Sequence, residues 1–184
     1  AKILAFVHAE TSTGAISDAK TLTEIAHQHD CLVIVDTVTS LAGSPLLVDD
    51  WKLDAVYSGT QKCLSCCPGL SPVTFSQRAI DVGTNRKTKV QSWFLDLNLV
   101  LGYWGGGGKR AYHHTAPVNT LYALHESLVM LKEEGLEASH ARHAAAHQQL
   151  KAGLKPMGID FVVSETNRLP QLNTVIIPEG VDDA

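Results

Sequence analysis

The sequence predicts an α/β fold built on a mostly parallel sheet. Three observations carry that prediction. Short apolar runs rich in β-branched residues alternate with a helix-period stretch in the first third of the chain. Each of three such runs ends in a group of hydroxyl, carboxylate or amine side chains, as strands do at the binding edge of an open sheet. The 184 residues are 45% hydrophobic and 18% charged, which is enough to bury a core and too apolar for a disordered chain.

The elements follow in order. Ile3–Val7 is a short apolar run, read as a buried strand, and Glu10 to Ala15 is read as a loop. Ser17 or Asp18 caps a helix whose apolar positions Ala19, Leu22, Ile25 and Ala26 recur at helical spacing. Cys31–Val35 is continuous and β-branched, as parallel strands covered on both faces tend to be. Leu53–Tyr57 makes a third strand. Ser71–Phe75 makes a fourth, assigned to an edge because Pro72 cannot donate to a ladder. Val118, Leu121, Tyr122, His125, Leu128 and Val129 then form one helical stripe, widened by Met130 and Leu131. A second helix, rich in Ala and His, runs from Leu136 to Leu154 and stops by Gly158. Ile159–Val163 and Asn173–Ile177 read as two further strands. This order divides the chain into a large α/β domain over 1–135, then an interdomain helix and the start of a smaller α/β domain over 136–184.

Charge and cysteine layout narrow the function classes. A formal net charge of −4 argues against nucleic acid or an anionic membrane surface as the main partner, and no apolar run is long enough to span a membrane. Three of the four cysteines, Cys63, Cys66 and Cys67, fall within five residues and the fourth is Cys31. That is a poor disulfide framework and fits a reducing compartment. The expected location is cytoplasmic, or peroxisome or mitochondrion in a eukaryote.

Ligands of open parallel sheets bind beyond the carboxyl ends of the strands. His8, Glu10, Thr11, Ser12, Thr13 and Gly14 follow the first strand. Asp36, Thr37 and Thr39 follow the second, and Ser58, Gly59, Thr60, Gln61 and Lys62 the third. Asp36 comes straight after an apolar run, so it requires a cationic or hydrogen-bonding partner. Lys62 lies in a glycine-containing loop; a lysine held near apolar surface has a lowered pKa and a nucleophilic amine. A lysine for a Schiff base and an aspartate for a pyridinium nitrogen are the pair that pyridoxal phosphate requires.

The stretches His8-Ala-Glu-Thr-Ser-Thr-Gly14, Asp36-Thr-Val-Thr-Ser-Leu-Ala-Gly43 and Tyr57-Ser-Gly-Thr-Gln-Lys62 resemble the class V, fold type I, pyridoxal-phosphate aminotransferases. Arg86-Lys-Thr-Lys89, Phe94-Leu-Asp96 and Tyr112-His-His-Thr-Ala-Pro117 resemble its alanine–glyoxylate and serine–pyruvate branch. The likeness runs from Phe6 to Pro178. It implies a fold type I large domain and transamination between alanine or serine and glyoxylate or another 2-oxo acid. Lys62 would be the Schiff-base lysine and proton carrier. Asp36 would pair with the pyridine nitrogen, Gln61 would bond the cofactor phosphate, and Thr11 would offer a hydroxyl near the ring. Tyr112 and Thr115 would reach the phosphate of the neighbouring subunit in a homodimer.

The chain departs from the family in three respects. Members are about twice as long, and the chain opens on Ala1 and closes soon after a strand-like run, so both ends are read as cuts and the chain as an internal fragment. The phosphate-binding turn and stacking aromatic would precede it, and the arginine for the substrate carboxylate would follow. Cysteines occupy 63, 66 and 67, where a small residue or proline is expected before Pro68-Gly69. Gly105 to Gly108 is read as a flexible connector in a variable loop.

Other features have plainer readings. Cys63, Cys66 and Cys67 lack the second pair that a structural zinc site needs. His140, His143 and His147 share a helix face, read as solvated, without the glutamate of a zinc protease helix. His113 and His114 are read as packing and hydrogen-bonding at an interface. Trp51, Trp93 and Trp104 are read as core or interface aromatics. Rival functions are a 3-hydroxykynurenine or aminoethylphosphonate aminotransferase, a desulfurase or lyase of the same fold, and a chain that keeps the fold only for binding. A desulfurase needs its cysteine on a mobile loop, whereas these cysteines follow Lys62 at once.

Overall fold

The computed structural model describes residues 1–104 and 111–182. The glycine run at 105–108 therefore lies outside the described residues. Among the described residues six strands and five α-helices follow one another, with two short 3₁₀ turns, Lys155–Met157 and Glu165–Asn167, after the last: β1 Ile3–Val7, β2 Ala9–Glu10, β3 Ala15–Ile16, α1 Ala19–Gln28, β4 Leu32–Asp36, β5 Ala55–Tyr57, β6 Val73–Phe75, α2 Gln77–Thr84, α3 Leu97–Trp104, α4 Val118–Glu134 and α5 Leu136–Leu154.

The main sheet has the order β1-β4-β5-β6. β1, β4 and β5 are parallel and in register, so that Val7, Asp36 and Tyr57 stand side by side at their carboxyl ends. β6 is antiparallel to β5 and occupies the edge expected from Pro72. Connecting parallel β1 and β4 requires a crossover, and α1 supplies it. Asp18 starts that helix, its carboxylate accepting from Thr21 N–H at 3.0 Å and Thr21 Oγ1 at 2.7 Å. Val33 and Val35 on β4 are fully buried and pack with Ala26, Cys31, Leu53 and Val56; Leu4, Phe6, Leu46, Val48 and Trp51 close around them. Burying each valine contributes about 1.5–3 kcal/mol. The other face is less covered within the described residues: Ile3, Val7 and Val73 are exposed.

Four expectations need correction. The 10–15 segment read as a loop is instead a small antiparallel hairpin of β2 and β3, closed by Gly14 N–H on the Glu10 carbonyl at 2.8 Å. Two helices, α2 and α3, appear where no element was expected. Ser76 caps α2 through Ala79 N–H at 3.1 Å, whereas α3 has Asn98 as its one polar residue and so no polar face for a period to show. The two carboxyl-terminal strands reduce to one antiparallel bridge, Phe161 with Val175, flanked by Val162 N–H on the Thr174 carbonyl at 3.0 Å and Ile176 N–H on the Asp160 carbonyl at 2.8 Å. That tail instead packs back on the amino-terminal part of the chain: Leu169 is fully buried and its N–H donates to the Gly14 carbonyl at 2.8 Å. His147, finally, is buried rather than solvated, with Nδ1 2.6 Å from Asn173 Oδ1 and its ring against Phe161.

Candidate active site

The carboxyl ends of β1, β4 and β5 bring three loops to one edge. Asp36 ends β4 and is half-buried. Its Oδ1 accepts from Val38 N–H at 2.9 Å and its Oδ2 from the Tyr57 hydroxyl at 2.7 Å. The same bond pushes the Tyr57 phenol above its usual pKa. Asp36 thus has the partners its position demands, and one of them, Tyr57, was not singled out from the sequence.

The loop beyond β5 is fixed by buried hydroxyls. Thr37 N–H and Oγ1 both donate to the Tyr57 carbonyl, at 2.9 and 2.8 Å. Ser58 Oγ donates back to the Thr37 carbonyl at 3.0 Å. Thr60, fully buried, donates to the Cys67 carbonyl at 2.7 Å. These bonds hold the turn on which Gln61 and Lys62 are presented. Both side chains are exposed, so Lys62 is not packed against an apolar surface as the sequence reading supposed. At Gly59 a Cβ would stand 2.7 Å from Gln61 Oε1, so a side chain there would displace the exposed Gln61 amide from its present position.

Thr11, beyond β1, joins the β4 loop directly: its Oγ1 lies 2.7 Å from Thr39 Oγ1. Thr39 is buried, and its carbonyl accepts from Gln171 Nε2 at 3.0 Å. Gln171 in turn accepts from Ser44 Oγ at 2.9 Å. A Cβ on Gly43 would meet Cys63 Sγ at 2.5 Å and Gln171 at 3.1 Å. Gly43 is therefore where the β4 loop, the neighbour of Lys62 and the carboxyl-terminal tail press together. Burial raises the Cys63 thiol's pKa.

Tyr112 and Thr115 form a pair of their own before α4, with the phenol oxygen 2.6 Å from the threonine hydroxyl. Both are exposed. Between them His113 is buried, stacked on Trp93 at 4.1 Å, with Nδ1 2.7 Å from His114 Nδ1. The packing expected of these rings is present, within one chain. A pocket of about 410 Å³ opens at the opposite edge of the sheet, lined by His27, Lys52, Asp54, Ser76 and Arg78 among others. Its buried carboxylate, Asp54, is already occupied by His27, Val33 N–H, Ser76 and Arg78, so it has no free valence for a ligand.

A mostly parallel α/β sheet with a carboxylate, an amine and hydroxyls at one carboxyl edge defines a class: enzymes whose ligand sits across the strand ends. The particular family follows from comparison. The profile of the Aminotransferase class-V family matches residues 1–182, and the chain belongs to that family. The chain is 42% identical over 178 residues to the alanine–glyoxylate aminotransferase of Oryctolagus cuniculus, covering 96% of this chain and 45% of that protein. It is 37% identical over 199 residues to the (S)-ureidoglycine–glyoxylate transaminase of Bacillus subtilis strain 168, covering 98% and 47%. The crystal structure of an alanine–glyoxylate aminotransferase from Nostoc sp. superposes with a TM-score of 0.93 at 48% identity, covering 98% of this chain and 47% of that one. The fold is that of the fold type I transferases. The chain spans about half the length of the curated relatives it matches.

Proposed function

We propose that the protein to which this chain belongs transfers an amino group from alanine or serine to glyoxylate or a related 2-oxo acid with pyridoxal 5′-phosphate. The observation that supports this most is the Asp36 carboxylate, held at both oxygens, on the same strand-end edge as the exposed Lys62 amine and the Thr11 hydroxyl. That donor set fits the cofactor. A carboxylate suits a protonated ring nitrogen, and an exposed amine suits a carbonyl. When bound, the cofactor supplies an electron sink for charge developing on the substrate carbon.

In this reading Lys62 is the Schiff-base lysine, and its amine carries the proton removed from the substrate Cα. Asp36 keeps the ring nitrogen protonated, and Tyr57 and Val38 hold the Asp36 carboxylate in orientation. Gln61 donates to the phosphate, and Thr11, braced by Thr39, presents its hydroxyl beside the ring. Tyr112 and Thr115 serve the phosphate of the neighbouring subunit in a homodimer. Residues 1–135 would belong to the large domain and 136–184 to the interdomain helix and the start of the small one. A reducing compartment such as the cytoplasm suits the free thiols.

The test is direct. Protein mixed with pyridoxal phosphate should develop a visible band that borohydride fixes as a cofactor mass on the Lys62 peptide, and Lys62→Ala should lose both. Asp36→Asn should keep the attachment and lose proton removal from alanine. A label on another lysine, or a band unchanged in Lys62→Ala, sinks the reading.

A further inference from the structure

We propose that Cys66 and Cys67 form a two-thiol site for a mono-substituted trivalent arsenical, a soft centre that takes two sulfurs and brings its own third substituent. Their sulfurs are 3.9 Å apart. Both are free; Cys66 is half-buried and Cys67 exposed. The turn that carries them is held from several sides. Cys66 N–H donates to the Thr60 carbonyl at 3.0 Å and Thr60 Oγ1 to the Cys67 carbonyl at 2.7 Å. Leu64 anchors the turn in the interior, and Ser127 Oγ of α4 reaches the Ser65 carbonyl at 3.5 Å. Thr60 is fully buried, so this clamp is set by folding and the two thiols are positioned before any ligand arrives.

Closing the pair on itself is unfavourable. Consecutive Cα atoms stand about 3.8 Å apart, below the roughly 4.4–6.8 Å that an unstrained disulfide spans. The pair therefore stays a dithiol and can serve as a bidentate soft ligand. With bonds of about 2.3 Å, the length of a zinc–thiolate bond, sulfurs 3.9 Å apart subtend about 116° at a shared atom. A linear centre would need about 4.6 Å on the same bond length. Zinc, bent enough, needs two more ligands, and no group of three or more His, Cys, Asp and Glu suited to a metal occurs among the described residues. An organic arsenic(III) centre needs none, because carbon fills its third position.

The exchange balances without a redox partner. Two As–O bonds break and two As–S bonds form; the thiol protons leave with oxygen as water; arsenic stays trivalent. The other cysteines offer no such pair. Cys31 is buried with its thiol on the Ala1 carbonyl at 3.3 Å, and Cys63 points to the Thr39 carbonyl at 3.7 Å beneath Gly43.

Phenylarsine oxide titrated into the intact protein, read by whole-protein mass spectrometry, tests the site. The expected result is one adduct per chain, heavier by the reagent less one water, that survives excess glutathione and is removed by dithiothreitol. In the unaltered protein the adduct should shield Cys66 and Cys67, but not Cys63, from iodoacetamide. Cys66→Ser and Cys67→Ser should each weaken binding by about a hundredfold or more, the loss expected when two-point attachment becomes one-point. Cys31→Ser and Cys63→Ser should leave it unchanged. No adduct, an adduct that glutathione strips, or one that persists in the Cys66→Ser/Cys67→Ser double variant overturns the proposal. The shielding measurement needs no variant and decides the matter where a substitution impairs folding.

Discussion

The hydroxyl of Tyr57 donates to Asp36 Oδ2 across 2.7 Å, from one parallel strand to the next, at the register position where the two residues are paired. A phenol on β5 thereby sets the rotamer of a carboxylate on β4. Tyr57→Phe should leave the fold intact and weaken pyridoxal phosphate binding about three- to tenfold, about 0.6–1.4 kcal/mol. The effect stays modest because Tyr57 is 40% exposed and solvent screens the bond. Fluorescence titration measures it. The Tyr57 phenol, raised above its usual range by this bond, should ionise at lower pH in Asp36→Asn, a shift visible by ultraviolet titration.

His8 predicts acid sensitivity. It is 2% exposed, its Nδ1 has no hydrogen-bond partner among the described residues, and its ring lies edge-on to Trp51 at 5.8 Å. Burial lowers its pKa below 6.5. The unfolded chain thus binds the proton more readily, and stability rises with pH across this range. The contribution is present above pH 6.5 and is lost as pH falls through the folded-state value. Melting temperature measured from pH 7 downward should drop more steeply for the natural protein than for His8→Asn. Parallel slopes would refute the assignment.

Gly43→Ala should destabilise the protein by about 1–3 kcal/mol, since the new Cβ would overlap Cys63 Sγ, and a packed interior yields poorly to added volume. Combined with Cys63→Ala, which removes that sulfur, most of the loss should return. Urea denaturation of the single and double variants reads the coupling directly.

Asp54 is a structural hub at the edge away from the candidate active site. It accepts from His27 Nε2 at 2.8 Å, Val33 N–H at 2.9 Å, Ser76 Oγ at 3.0 Å and Arg78 Nη1 at 3.3 Å, tying α1, β4 and α2 together. Asp54→Ala removes the acceptor of one buried donor, Val33 N–H, and of three half-buried ones, and should cost about 1–3 kcal/mol, measured as a fall in the urea midpoint. Cofactor bound per folded chain should stay unchanged.

Much of the frame was legible in the residue order. β1, β4, β5 and β6 fall within the apolar runs that announced them, give or take a residue, because an apolar β-branched run has few other ways to leave water. The Pro72 strand lies at the edge because a residue without an N–H cannot sit inside a ladder. Helices α4 and α5 meet at Gly135, whose φ of 87° is a conformation glycine adopts cheaply. The missed elements carried weaker signals. α3 has only Asn98 to mark a polar side, and β2 and β3 are two residues each, too short for any period to register.

The residue types alone determined that this chain is an α/β protein with a carboxylate, an amine and hydroxyls at strand ends, since burial and strand direction follow from local pattern. Only the tertiary structure decided which of those groups touch. Tyr57 meets Asp36 through strand register, Thr11 meets Thr39 through the neighbouring β1–β4 pair, and Gly43 is pinned between Cys63 and Gln171. Each is a contact between residues distant in sequence. Its existence depends on how strands pair and how the tail folds back, and a sequence pattern read a few residues at a time carries no record of either.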